Sequence, residues 1–418
     1  MIKILHTGDW HLDADPRKLE KAERSLEQIY EYLNQNKIQA LVNSGDIWEK
    51  KQRKPYFTSP ANEGAGIVLA EMYLTDFSKY VDGVFIAKGN NAHDEKGSVA
   101  ELDQLEINIF AVERPACFGI FSSLDDRSNL EAIDLLTGEH NKHVQSIEYI
   151  ISLFPYPTKE LFIQDKGIDE NNADFDTIFN AEMDKFAEKI KQYNCPKIMA
   201  FHGNVQGARL SNGQSLLGQD IIIAPGSLKR SGHHYYALAH IHLPQQIESL
   251  MRYSGSLYNK NWGETEQKYF NIVSFSTSEE GPIKEDDVFS NGYYINVEQI
   301  PLKAARPMFK IDAVFENGIL VYDKTGIPDN AEIKFRYQVK EDERELVTQA
   351  KLDEIKKELG DDIRFDAVVS PVQRDSRSAE IMNAETLLEE VEEYAKVTNG
   401  EFTKTIRAKV ELIEREVV

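Results

Sequence analysis

Cysteine is almost absent. Cys117 and Cys195 are the only two in 418 residues, in unrelated settings, which excludes a disulfide framework and a thiolate metal site. No run reaches 18 consecutive apolar residues, so no segment is expected to cross a membrane. Met1-Ile2-Lys3-Ile4-Leu5 leads straight into a strand-like segment with no signal-peptide anatomy, and cytoplasm is the expected compartment. Positive charge is scarce: 48 Lys and Arg face 70 Asp and Glu, a net charge of −22. That argues at first against nucleic acid, whose phosphates are bound mainly by Lys and Arg. Internal repeats and low-complexity tracts are also lacking.

What is there softens the charge argument. Much of the acid lies in helical stretches such as Glu389-Glu390-Val391-Glu392-Glu393. Basic residues gather in two places, Lys50, Lys51, Arg53 and Lys54 after Asp46, and Lys229 and Arg230 before His233. Either run alone reads as a solvated loop. Two of them flanking one set of candidate residues point to a local phosphate-binding surface. With 41% apolar and 10% aromatic residues the chain suits a globular protein of two or three domains.

The first ninety residues repeat strand, loop, helix, strand. Ile2 to Leu5 runs toward Asp9, and Ala40-Leu41-Val42 runs toward Asp46. Val84-Phe85-Ile86-Ala87 likewise leads to Gly89-Asn90. Between the strands, Leu19, Ala22, Leu26, Ile29, Tyr30 and Leu33 recur at helical spacing, and a second helix is expected over 65–80. Alternation of this kind predicts an α/β layered fold, whose functional groups lie past the carboxyl ends of the strands. Further strands are expected at 146–153, 198–201, 235–239 and 269–275, with a helix over 174–193. Ser, Glu, Gly, Pro and Asp cluster at 277–287 and read as a domain boundary. Beyond it, strands at 308–315, 331–339 and 363–369 and a helix over 343–359 suggest a small α+β domain. Residues 371–378 read as a linker. The last forty residues read as two amphipathic helices. One carries Leu387, Leu388, Val391 and Tyr394 with Asn383 as N-cap; the other carries Phe402, Ile406, Val410, Ile413 and Val417 after a break at Gly400.

The chemistry lies in short motifs at the strand ends. Asp9-Trp10-His11 offers a carboxylate and an imidazole on one side of an extended segment, and His240-Ile241-His242 offers two imidazoles in the same way. Asp46 after Gly45 supplies a carboxylate able to bridge two cations roughly 4 Å apart. Gly89-Asn90-Asn91-Ala92-His93-Asp94 adds an amide oxygen and an imidazole, and Phe201-His202-Gly203 a further imidazole. Each has a commoner explanation alone: a turn residue for Asp46, a core histidine for His202, a polar turn for the Asn pair. His6 reads as structural, His140 and His143 as surface. His233 and His234 are weaker candidates for a phosphate contact.

Five such motifs, in order and each at a strand end, are less easily dismissed. Their order resembles the calcineurin-like metallophosphoesterases. Within them it resembles the SbcD-type nuclease subunits, which work with an SbcC-type ATPase in double-strand-break repair and end processing. Pro155-Tyr156-Pro157, Phe201-His202-Gly203-Asn204-Val205 and Ala239-His240-Ile241-His242-Leu243-Pro244 carry the narrower likeness, with Tyr253-Ser254-Gly255-Ser256-Leu257 and Lys268-Tyr269-Phe270.

The resemblance implies a two-layered β-sandwich core flanked by helices over residues 1–282 and a capping, DNA-binding α+β domain over 283–373. It also implies a C-terminal helix pair over 374–418 that docks on the coiled coil of the ABC ATPase, and a homodimer. Carried over, one divalent ion would be held by Asp9, His11, Asp46 and His242, and a second by Asp46, Asn90, His202 and His240. His93 would act on the scissile phosphate and its leaving oxygen. Ligands of carboxylate, amide and imidazole without thiolate favour Mn²⁺, with Mg²⁺ or Fe²⁺ as alternatives. Lys50, Lys51, Arg53, Lys229 and Arg230 are candidate DNA contacts.

Two departures stand out. Asn91-Ala92 interrupts the usual Gly-Asn-His-Asp, leaving Asn90 or Asn91 as the ligand, and Glu49 stands where many relatives carry His or Asp. The expected activity is a 3′-to-5′ exonuclease on duplex ends and an endonuclease on single strands. Competing readings are a phosphoesterase of small molecules or phosphoproteins, and a DNA-end-binding subunit with little turnover.

Overall fold

The central strands present apolar side chains on both faces, so each must be covered twice, once by another sheet and once by helices. The computed structural model describes residues 1–13, 15–49, 64–106, 108–122, 130–136, 147–158, 175–211, 221–360, 362–370, 384, 386–398, 400 and 402–417. It divides into two units, Met1–Lys310 with Thr325–Lys334, and Ile311–Lys324 with Phe335–Val418.

The first unit opens with β1 (Ile2–Thr7), α1 (Pro16–Gln35), β2 (Ala40–Asn43), α2 (Ala65–Ser78), β3 (Gly83–Ala87) and β4 (Ile109–Val112). A second run comprises β5 (Ala116–Ser122), β6 (Leu130–Asp134), β7 (Tyr149–Phe154), α3 (Phe175–Ile190), β8 (Lys197–His202), β9 (Tyr235–Ala239), β10 (Gln245–Glu248) and β11 (Met251–Tyr253). The chain then returns through β12 (Tyr269–Thr277), β13 (Val288–Ser290) and β14 (Tyr293–Pro301). Two seven-stranded sheets result, ordered β13-β14-β12-β1-β2-β3-β4 and β10-β11-β9-β8-β7-β5-β6.

The sheets face each other. Ile4, Val42 and Phe85 from one meet Ile151, Ile198 and Ala237 from the other in a shared buried cluster. Outside the first sheet, Leu26, Ile29 and Leu33 of α1 and Leu74 and Phe77 of α2 bury against Leu41, Val84 and Ile86. Outside the second, Phe179, Met183, Phe186 and Ile190 of α3 cover Ile150, Phe154, Met199 and Phe201. The helix α1 starts where Asp15 accepts a hydrogen bond from Arg17 N with Pro16 at the first position. The layered α/β fold with its β-sandwich is thus present.

Strands β1 to β4 run parallel, as do β7, β8, β9 and β11. Parallel pairing aligns their carboxyl ends at one rim of each sheet, which is where the candidate residues collect. The turn-rich stretch 277–287, read as a boundary, instead joins β12 to β13, and β14 pairs with β12 along its whole length from Tyr269↔Pro301 to Thr277↔Tyr293.

In the second unit's sheet the strand order is Ile319–Tyr322, Met308–Glu316, Glu332–Lys340 and Ile363–Ser370. Where one helix was expected over 343–359 there are two elements, a 3₁₀ turn Glu341–Leu346 and a helix Gln349–Leu359, because Val347 and Thr348 leave helical geometry. Helices Leu387–Val397 and Lys404–Val417 follow, the first capped by Thr386, which accepts from Glu389 N at 3.2 Å. Asn383 and the linker 371–378 lie outside the described residues. Among the described residues no helix is long and apolar enough to cross a membrane.

Candidate metal centre

Each candidate residue follows a strand. Asp9 and His11 come after β1, Asp46 after β2, Asn90 after β3; His202 ends β8, and His240 and His242 follow β9. The pairs share a side, but not by strand alternation. Asp9, His11, Asp46 and His240 have φ of 49°, 47°, 55° and 102°, a region costing an L-residue roughly 1–2 kcal/mol. Such strain concentrates at functional sites. Trp10, between the first two, is fully buried; its Nε1 donates to Thr7 Oγ1 at 3.2 Å and its ring meets Phe77 edge-on. The core therefore pins the loop that carries Asp9 and His11. Two glycines are demanded by contact: a Cβ on Gly89 would land on Asp46 Oδ1, and one on Gly45 would strike the His202 ring.

The donors converge. Ligand atoms of Asp9, His11 and Asp46 lie within 4.8 Å of one another, and so do those of Asp46, His202 and His240. Asp46 belongs to both groups. Its Oδ1 is 3.3 Å from His202 Nε2, and its Oδ2 is 3.9 Å from His11 Nε2. His242 joins through its Nε2, 3.0 Å from His11 Nε2. Asn90 approaches from the other side, its backbone N–H donating to Asp46 Oδ1 at 2.9 Å and its amide to Oδ2 at 3.2 Å. Asn91 instead accepts from Lys88 Nζ. Of the two asparagines, only Asn90 reaches the cluster. His93 stays at the rim, 4.0 Å from Asp46 Oδ2, with Nδ1 2.5 Å from the Glu49 carbonyl.

Electrostatics mark the same place. Burial alone would raise the Asp46 carboxyl, but the His202 charge beside it holds it down at about 2. For His202 burial works to lower the imidazole, yet Asp46 outweighs it and lifts it to about 9. His240 is pushed down to about 3 by burial and then by His202. Burial raises the carboxyl of Asp9, both of whose oxygens accept from His240 N at 2.9 and 3.0 Å. Among the described residues the buried His240 Nδ1 has no hydrogen-bond partner, and the buried His202 Nε2 meets Asp46 Oδ1 at 3.3 Å without hydrogen-bond alignment. Buried polar atoms are rarely left so. Lone pairs of two carboxylates and four imidazoles turned into one space suit divalent cations.

Residues 2–244, more than half of the chain, match the calcineurin-like phosphoesterase family. The chain belongs to that family. As a member it is a metal-dependent phosphoester hydrolase, and the buried Asp–His cluster is the part of this phosphoesterase able to hold the metal.

Groups that the motifs do not single out complete the phosphoesterase site. Asp94 accepts from the backbone N–H of Gly89, Asp46 and Trp48 at 2.7, 3.1 and 3.1 Å, tying two loops together. Burial, with the Asp46 charge, raises it to about 7. Glu264 Oε1 accepts from His242 Nδ1 at 3.4 Å, and Glu264 Oε2 from the fully buried Lys268 at 2.9 Å. Glu49 Oε2 lies 3.2 Å from His11 Nδ1, off hydrogen-bond alignment, and 2.6 Å from Lys260 Nζ. The residue that departs from the usual His or Asp therefore sits behind a histidine. Tyr156 places its ring 5.4 Å from His240.

Carboxylates behind ligating imidazoles fix tautomer and orientation, and losing one costs 10- to 100-fold in metal affinity. Glu264→Gln is thus expected to weaken Mn²⁺ binding about tenfold or more, read by calorimetric titration. An unchanged dissociation constant would show that Glu264 only packs.

The other candidates go elsewhere. Lys229 and Arg230 lie before β9, a five-residue strand of roughly 17 Å, whose far end carries His240. They pair instead with Glu248 and Asp184, so the sheet's own length keeps them from the cluster. Lys50, Lys51 and Arg53 lie outside the described residues, as do His140 and His143. His6 bonds to Tyr235 and to the Leu238 carbonyl. His233 joins Ser231 to Ser152, and His234 accepts from Lys197 N. All three are buried, which lowers them to about 3, 3 and 4. They are neutral structural histidines rather than phosphate contacts.

Proposed function

We propose that this calcineurin-like phosphoesterase is a two-metal DNA nuclease of the SbcD type. It would degrade duplex ends 3′ to 5′, cut single strands internally, and work with an SbcC-type ABC ATPase as a homodimer. The observation that carries the reading is the sharing of Asp46 by two buried groups of donors. Asp9, His11, Asp46 and His242 would hold one ion, and Asp46, Asn90, His202 and His240 the other. Mn²⁺ suits this oxygen and nitrogen set, with Mg²⁺ or Fe²⁺ as substitutes. Bound there, two such ions supply Lewis-acid stabilisation of a phosphate and a nucleophile available near neutral pH.

The chain's own residues do the rest. The Asp9 carboxylate and the His240 N–H clamp the first loop to the fifth, and Asp94 clamps the second to the third. The Asn90 amide must present its oxygen to an ion; that oxygen now accepts from Ala92 N at 2.9 Å while its nitrogen meets Asp46, so a half-turn of the amide would give up the Ala92 bond. His93 is half-buried at the rim, and an imidazole can hand a proton to a leaving oxygen near neutral pH. Its ring is anchored by the Glu49 carbonyl. The two C-terminal helices favour a partner. Leu387, Tyr394, Ile406, Leu412 and Ile413 remain exposed while Val410 is buried, and apolar side chains left in water mark binding faces.

The test is degradation of an end-labelled linear duplex with Mn²⁺, abolished by a chelator, with the co-purifying ATPase added and omitted. Turnover of bis(p-nitrophenyl) phosphate with no cleavage of duplex or single-stranded DNA in either arm would remove the nuclease and leave a small-molecule phosphoesterase.

A further inference from the structure

Beside the histidine pair the surface sinks into a cleft of about 370 Å³, lined by Leu210, Ser211, Asn261, Trp262 and Gly263 together with His240, His242 and Glu264. That size lies at the lower end of small-molecule sites, roughly 300–1,000 Å³. Its wall combines a half-buried indole and an isobutyl group with the Ser211 hydroxyl, the Asn261 amide and the two imidazoles. Asn261 donates its amide to Glu264 Oε1 at 3.0 Å, which leaves the amide oxygen as an acceptor. The loop is held from behind, since Gly263 N donates to the Met308 carbonyl and Met308 N to the Glu264 carbonyl. The Trp262 platform is thus fixed to the residue that orients His242.

We infer that this cleft is the subsite for the nucleobase next to the scissile phosphate, with Trp262 as its stacking surface. The inference rests on the nuclease reading and adds where the substrate's base is held. A phosphate at the histidine pair puts an attached nucleoside within reach of the cleft. An aromatic face accepts any base, because every base has a π-face. A sequence-tolerant enzyme needs such a contact. Asn261 then offers one acceptor to an exocyclic amine or imide N–H.

The chain provides its own probe. It has three tryptophans, and Trp10 and Trp48 are 0% and 2% exposed, so Trp262 is the one an added ligand can touch. Thymidine 5′-monophosphate is expected to quench tryptophan emission saturably, and methyl phosphate not to. Trp262→Phe should remove the quench. In kinetics, Trp262→Ala should raise KM about tenfold for thymidine 5′-(p-nitrophenyl phosphate), equal to about 1.4 kcal/mol and within the range of one stacked base. Trp262→Phe should restore it, and KM for methyl p-nitrophenyl phosphate should not move. No quench, or equal effects on both esters, overturns the subsite while leaving the phosphodiesterase intact. A quench through Trp262 without hydrolysis of either ester supports the subsite and counts against the nuclease.

Discussion

Asp46→Asn is expected to strip the protein of both ions and to lower phosphodiester cleavage by at least about 10³-fold, a barrier increase of about 4 kcal/mol. The side chain is the one carboxylate shared by the two donor groups, and only a bridging anion lets two divalent charges sit a few ångströms apart. Asparagine keeps the volume and replaces one oxygen by an N–H₂ that cannot ligate. The fold should survive. Position 46 has φ of 55°, and asparagine is among the few residues that tolerate this region. The backbone N–H of residue 46 keeps its bond to Asp94. Metal analysis, circular dichroism and cleavage of a labelled duplex would be measured together. A folded variant that still retains two tightly bound ions would refute the bridging role.

Much of this site can be read in the sequence because parallel strands impose order on it. An apolar run of four or five residues followed by Gly-Asp or Gly-Asn is visible locally, and the topology carries every such end to the same rim. Helix α1 is equally legible from the spacing of Ala22, Leu26, Ile29 and Leu33, the residues it buries. Other features have no local signature. Glu264 lies 22 residues beyond His242 on a loop with no period, and only tertiary folding sets it behind the imidazole. The left-handed backbone of Asp9, His11 and His240 overrides the alternation that an extended segment would follow. Strand β14 has no clear signal in the sequence because the turn-rich 277–287 looks like the end of a domain. That stretch connects β12 to β13 within one sheet, and the pairing of β14 with β12 decides the matter.

The second large effect is on pH. Without metal, His202 and Asp46 form a buried ion pair at 3.3 Å, with the imidazole lifted to about 9 although burial alone would lower it. A histidine ligates only when neutral, so binding must expel that proton. At pH 7.5 metal uptake should release about one proton from His202, and affinity should climb up to about tenfold per pH unit until the pH passes roughly 9. Calorimetry in buffers of different ionisation enthalpy counts the proton. Stability has the opposite slope. A group raised from 6.5 to about 9 on folding contributes fully below pH 6.5 and loses its contribution as pH rises through 9. Metal-free protein should therefore melt at a lower temperature at pH 9 than at pH 6.5, and the stabilisation by added Mn²⁺ should grow over the same interval. In Asp46→Asn the main counter-charge is gone and only the Asp9 charge and the Ser44 carbonyl still oppose burial at His202, so this alkaline decline should shrink. A metal-free melting temperature that is flat from pH 6.5 to 9 in the unaltered protein would mean that no proton sits between His202 and Asp46, and that the two meet only through a bound ion.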